Sequence, residues 1–285
     1  MVDPPGARAL SERVAPSPPL AIPADLSAII ALLRHGESTF IVEGRFQGAA
    51  DAPLSPLGER QAALAGARLA DPGRSPALPV PSTAPLEIVH SPLGRTVSTA
   101  EAVRRAIAGR GASVPMRPEP GLAEIGQGRW EGTHRSQIEA EDGELLATWR
   151  RSPLTANAPG GERVLDAAVR VRSALDGVIS RLAAASDGRP AVEHPSHVAG
   201  YPGPAVADVP WTLLVAHDGI FKVVLLTLLD LPLERFWTFP FALCGITVVE
   251  LRDGRGILRV HNLTDHLAPL AAEATATPVR TSGAL

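Results

Sequence analysis

Arg34 and His35 come directly after the apolar run Ser27–Leu33, and His217 comes directly after another, Trp211–Ala216. Arg95 falls in the first turn of a helical stretch that opens at Ser91-Pro92, behind a third apolar run, Leu86–His90. In an open parallel sheet, ligands collect beyond the carboxyl ends of the strands, so these separated stretches are expected to converge on one crevice. Two histidines and two arginines there make a cationic pocket. Guanidinium forks bind phosphoryl oxygens in pairs. Gly36 and Gly219 let the backbone approach a bulky anion, and the helix starts after Ser91 and after Asp218-Gly219 offer backbone N–H groups. A phosphoryl group is the anion this combination suits. Neither a GxxxxGK(S/T) loop nor a GxGxxG fingerprint occurs, so a nucleotide cradle of those kinds is not indicated. Taken singly, each residue has an ordinary reading: a solvated loop charge for His35, a packing histidine for His217, a helix-surface arginine for Arg95. Their joint order carries the argument.

The elements that must position them alternate between strand and helix. Ser27–Leu33, Leu86–His90 and Trp211–Ala216 read as strands buried on both faces, with a short strand near Val114–Arg117. A helical period begins at Ser55-Pro56 and runs through Leu57, Gln61, Leu64, Ala65, Arg68 and Leu69, with Pro56 suited to a first turn. Further helices are expected from Ser91-Pro92 to about Ala108, and over Ser136–Arg151, Glu162–Ala185 and Ile220–Leu229. Gly245–Leu251 and Gly256–Val260 read as a hairpin turning at Asp253-Gly254. This order predicts an α/β protein, a three-layer αβα sandwich around a mostly parallel sheet. Residues 26–267 would form one domain, with Pro/Ser-rich and Gly-rich loops at Asp71–Pro85 and Gly121–Gly132 and a Pro/Gly-rich insertion at 187–209. Residues 1–25 and 268–285 are expected to be tails.

Composition narrows the partners. A net charge of −3 argues against a nucleic-acid-binding face. Cys244 is the only cysteine, which excludes an intrachain disulfide, and the start of the chain lacks the charge and apolar run of a signal peptide, so the cytoplasm is the default location. The longest apolar stretch, Phe221–Leu233, contains Asp230 and is too short to span a bilayer. His194 and His197 have a metal-like spacing but no acidic or cysteine partner, which favours a solvated loop. A homodimer through an exposed edge strand stays open.

The motifs, in order, resemble the histidine phosphatase superfamily, its phosphoglycerate mutase-like branch. Arg34-His35-Gly36-Glu37-Ser38 resembles that family's opening signature. Gly44-Arg45-Phe46-Gln47-Gly48, Asp51-Ala52-Pro53-Leu54-Ser55 and Gly58 are similar to its continuation. Ser91 through Thr96, Glu124 with Gly128–Gly132, Val215–Gly219 and Asn262–Leu267 complete the likeness, which covers roughly 28–267. The resemblance implies that His35 is a nucleophile that becomes phosphorylated, with Arg34, Arg95 and His217 around the transferring group. It implies Glu124 as the proton donor and then the base for water, although Glu119 and Glu131 lie nearby. Gly36, Ser38, Gly48, Asp218 and Gly219 would contribute to phosphate binding, and Arg45 and Gln47 would reach the rest of the substrate. The implied partner is a small-molecule phosphate ester, with no metal and no other cofactor. A phosphatase is the first expectation. A phosphomutase or a low-turnover phosphate-binding module are the alternatives. Ala158–Glu162 looks like a phosphatase stretch, whereas Trp149-Arg150-Arg151 is similar to a mutase substrate clamp. Two departures stand out: Ile41 replaces the family's usual phosphate-binding Asn, and Gly126-Gln127 replace a frequent Asp-Phe.

Overall fold

A computed structural model describes residues 20–186 and 209–274. Expectations for 1–19, 187–208 and 275–285, including those for His194 and His197, lie outside the described residues. The elements are β1 (Ala28–Arg34), α1 (Thr39–Glu43), α2 (Pro56–Ala70), β2 (Ile88–His90), α3 (Gly94–Ala108), β3 (Met116–Pro118), α4 (Arg135–Glu141), α5 (Gly143–Arg151), α6 (Val164–Ser186), β4 (Trp211–Ala216), α7 (Asp218–Leu228), β5 (Ile246–Arg252), β6 (Arg255–Leu263) and α8 (Ala268–Ala274). The sheet order is β3-β2-β4-β1-β5-β6. β3, β2, β4 and β1 are parallel neighbours, and the hairpin adds β5 antiparallel to β1.

The side-chain period of a strand explains the layers. Ile29, Ala31 and Leu33 of β1 pack with Ala62, Ala65 and Leu69 of α2 and Val103 of α3 on one face. Ile30 and Leu32 pack with Val171 and Leu175 of α6 and Val224 of α7 on the other. Burying each such aliphatic side chain contributes about 1.5–3 kcal/mol. A third cluster (Phe46, Trp130, Ile138, Leu146, Trp149 and Ala158) lies apart from the sheet, in the segment that carries α4 and α5.

Several expectations shift in detail. The helical pattern over 136–151 is broken at Asp142, whose carboxylate accepts the indole N–H of Trp130 at 2.8 Å. The helix expected from Ser91 begins at Gly94, because Ser91 Oγ is turned to His217 and to the amide of Leu93. Helix α1 has no periodic apolar signal; it is one short turn capped by Ser38, whose Oγ accepts from the Ile41 amide. Residues 268–274 are helical, consistent with their alanine content, and Arg60 pairs with Glu273 there.

The register aligns the chemistry. Arg34 pairs with Ala216 across β1 and β4, and His90 pairs with Val215 across β2 and β4, so three strand ends deliver their following residues to one edge. The turn after β1 packs backbone to backbone on the start of α2. A Cβ on Gly58 would lie 1.9 Å from the Glu37 carbonyl oxygen, and one on Gly36 would lie 2.4 Å from that of Gly58. Gly58→Ala is therefore expected to destabilise the fold by about 3 kcal/mol or more, with loss of activity, because neither backbone can yield alone. Urea denaturation of the variant checks this.

Candidate active site

His35 continues β1 by one residue, and its amide still donates to Ala216 at 3.0 Å. Its ring is buried, and Nδ1 lies 2.7 Å from the carbonyl oxygen of Gly36. A carbonyl only accepts, so Nδ1 carries the proton and Nε2 keeps its lone pair. Burial, with the charges of Arg95 and Arg34, holds the imidazole well below its ordinary pKa. The ring is therefore neutral and fixed in one tautomer.

His217 approaches from β4, its ring centroid 5.1 Å from that of His35 at a steep angle. Its Nε2 lies 2.8 Å from Ser91 Oγ, while Nδ1 is buried without a partner among the described residues. Burial, then Arg95, His35 and Arg34, depress its pKa strongly. Arg95 is fully buried at the start of α3, donating to the carbonyls of Ala50 and Gly48 at 2.8 Å each. Burial pulls its guanidinium down to about 10, with Glu124 and Asp51 opposing, so it stays charged at neutral pH. Arg34 donates to the carbonyl of Phe241 at 2.5 Å. The Nε groups of both arginines, like Nδ1 of His217, are buried without partners among the described residues. Unpaired buried donors are costly, about 1–3 kcal/mol each, and the two arginine Nε–H groups beside one histidine favour an anion.

A cavity of about 440 Å³, counting its open mouth, is lined by Arg34, His35, Gln47, Gly48, Glu124, Ile125, Gln127, Trp149, Gly219 and Phe236. Arg95 and His217 are buried beside His35 rather than on this wall. Of the three nearby carboxylates only Glu124 lines it. Glu119 caps a short turn at Gly121, and Glu131 accepts from the amides of Ala49 and Gln127. Burial raises the Glu124 pKa, and Asp218 adds to the rise.

Other expected residues are placed differently. The Gly219 and Ile220 amides at the start of α7 are not free: they donate to Glu124 at 3.2 and 3.1 Å. The Gly94 amide at the start of α3 likewise donates to Asp51. Half-buried amides demand partners, and carboxylates suit a helix N-terminus. Asp218 turns away to a buried ion pair with Lys222, and its other oxygen accepts from the Phe241 amide. The Gly36 amide donates to Thr99 Oγ1. Ser38 donates to Gln47 Oε1 at 2.5 Å and so orients Gln47 rather than facing the cavity. Arg45 is half-exposed, pairing with Glu43 and the Gly132 carbonyl outside the lining, and half-buried Ile41 is also outside it. Ile125 and Phe236 were not legible as site residues; an isolated apolar residue in a loop carries no signal of its own.

A sheet whose strand ends gather a neutral histidine, a second histidine, two arginines and a carboxylate defines an α/β enzyme that handles a phosphoryl group. The histidine phosphatase superfamily (branch 1) matches residues 30–192 and 205–264, and the chain belongs to that family. It is similar to phosphoserine phosphatase 1 of Hydrogenobacter thermophilus, 25% identical over 86% of this chain and 97% of that one. It is also similar to the probable phosphoglycerate mutase GpmB of Erwinia tasmaniensis, 28% identical over 78% of this chain and 84% of that one. Among solved structures it resembles mycobacterial glucosyl-3-phosphoglycerate phosphatase with VO3, with a TM-score of 0.63 and 26% identity over 83% of this chain and 99% of that one. The chain is a phosphatase of the histidine class. Among the described residues, no helix is long and apolar enough to cross a membrane.

Proposed function

We propose that the chain hydrolyses a small phosphate monoester by way of a phosphohistidine on Nε2 of His35. The observation that carries this reading is the hydrogen bond from Nδ1 to Gly36, which leaves the opposite nitrogen unprotonated and fixed. In the first step Nε2 bonds to phosphorus as the ester P–O bond breaks, and Glu124 donates a proton to the leaving oxygen. Arg34, Arg95 and His217 offset the charge on the equatorial oxygens. In the second step Glu124, now a carboxylate, takes a proton from water as its oxygen attacks phosphorus, and His35 leaves neutral. The guanidinium groups supply the positive charge this chemistry needs. The net charge of −3 supports a small molecule rather than a nucleic acid as partner, and the cytoplasm is the expected setting.

The mutase relative motivates one competing reading, in which the phosphoryl group is kept from water and returned to the substrate. Of the stretch Trp149-Arg150-Arg151 that suggested a clamp, Trp149 lines the cavity, but both arginines lie outside the lining, and Arg150 approaches Glu139 instead. That favours hydrolysis. Millisecond quenching with labelled p-nitrophenyl phosphate is expected to trap protein-bound phosphate that survives alkali, is lost in acid and maps to His35. Label elsewhere, or none during turnover, would overturn the proposal. Isomerisation of 3-phosphoglycerate primed by 2,3-bisphosphoglycerate would support the mutase.

A further inference from the structure

We propose that the cavity selects phosphate esters of uncharged alcohols that carry a further hydroxyl, and discriminates against leaving groups with a second anion. This names the substrate class of the site and rests on the phosphatase reading above. Once Arg34 and His35 are given to the phosphoryl group, the remaining wall consists of aromatic and aliphatic surface, two carboxamides, backbone and the Glu124 carboxylate.

Among the described residues, Arg34 is the only arginine or lysine that lines the cavity. Arg45 pairs with Glu43 and the Gly132 carbonyl, Arg170 makes a two-point pair with Glu162, and Arg150 approaches Glu139. Lys222, the only lysine, is buried in its pair with Asp218, with Nζ 5.7 and 5.2 Å from the ring centres of Phe236 and Trp237. A carboxylate or second phosphate on the substrate would lose water and face Trp149, Phe236 and Glu124, with no second counter-charge among the described residues of the wall.

An uncharged hydroxylated group meets partners instead. Gln127 is 6% exposed, and its Oε1 is buried with no partner among the described residues. Its backbone amide is fixed on Glu131 at 2.8 Å, and its Nε2 leans on the Ile125 carbonyl at 3.4 Å. An O–H brought by the substrate satisfies that oxygen. The C–H face of the same group packs on Trp149, which edge-to-face contacts hold against Trp130 and Trp237 at 6.5 and 5.2 Å. In a chain with 4% aromatic residues, this cluster uses three of the four tryptophans, and Trp149 reaches the cavity wall.

The test compares kcat/KM for glycerol 3-phosphate, 3-phosphoglycerate and n-propyl phosphate. The first two differ only in a CH2OH or carboxylate terminus, and the third lacks both hydroxyls. Glycerol 3-phosphate is expected to exceed each of the others by about tenfold or more. In Gln127→Met the ratio of glycerol to propyl ester should fall towards one. In Gln127→Lys the preference over 3-phosphoglycerate should shrink by about tenfold. Ratios within one protein cancel any loss of folded fraction. Equal or better use of 3-phosphoglycerate by the wild type, or a glycerol-to-propyl ratio that Gln127→Met leaves unchanged, would overturn the proposal. Failure to hydrolyse p-nitrophenyl phosphate as well would overturn the phosphatase reading and the selectivity with it.

Discussion

His35→Asn is expected to lower kcat/KM for every ester by about 10⁴-fold or more while leaving the fold and the anion site in place. Asparagine retains the near half of the imidazole. Its amide N–H occupies the position from which Nδ1–H donates to Gly36 at 2.7 Å, so the buried carbonyl keeps its partner. What disappears is Nε2, the only atom of the residue that can bond to phosphorus. Arg34, Arg95 and His217 remain, so inorganic phosphate should still raise the melting temperature of the variant. His35→Ala removes both the nucleophile and the donor, and should be equally inactive but less stable. Steady-state rates and thermal shifts with and without phosphate check both halves. Retention of more than a hundredth of the wild-type rate would mean that some other group accepts the phosphoryl.

The line between what could be read and what could not follows the distance of each residue from a strand end. His35 and His217 were legible because a buried apolar run fixes where its next residue emerges, and the parallel register then sets Arg34 opposite Ala216. The sheet and both covering layers followed from the same runs. Arg95 was legible once a helix start was assigned behind Leu86–His90. Glu124 was separable from Glu119 and Glu131 only by resemblance, since three carboxylates in a glycine-rich loop have no period to rank them. Trp149 and Phe236 reach the cavity from α5 and from a loop after α7, and tertiary packing of aromatic rings sets their direction. The misplaced partners were local. Asp218 lies four residues before Lys222 on a helix, a spacing that favours an ion pair, and Arg45 lies beside Glu43. The amides expected to meet phosphate at α7 met Glu124, because a carboxylate within reach of a helix start satisfies them first.

Glu124→Gln carries the second large effect, and its size should depend on the leaving group. An alkyl ester departs as an alkoxide unless a proton is supplied, so kcat for such esters should fall by about 10²–10⁴-fold. p-Nitrophenolate needs no proton, so its release should stay fast in the variant. The second step still lacks a base for water, and the phosphohistidine should accumulate: one equivalent of p-nitrophenol in a burst, then slow turnover. The pH profile supplies a separate sign. Burial and Asp218 raise the Glu124 pKa, so its proton persists to higher pH than on an ordinary carboxylate, and the first step declines as pH rises through that raised value. Burial with Arg95 and Arg34 depresses the His35 pKa, so the nucleophile stays unprotonated well below the ordinary imidazole range and the acid limb moves down. The alkaline limb for alkyl esters should therefore lie above the ordinary carboxylate range and the acid limb below the ordinary imidazole range, and glutamine, which cannot ionise, should abolish the alkaline limb contributed by residue 124. An unchanged alkaline limb with no burst would assign the proton transfer to another group.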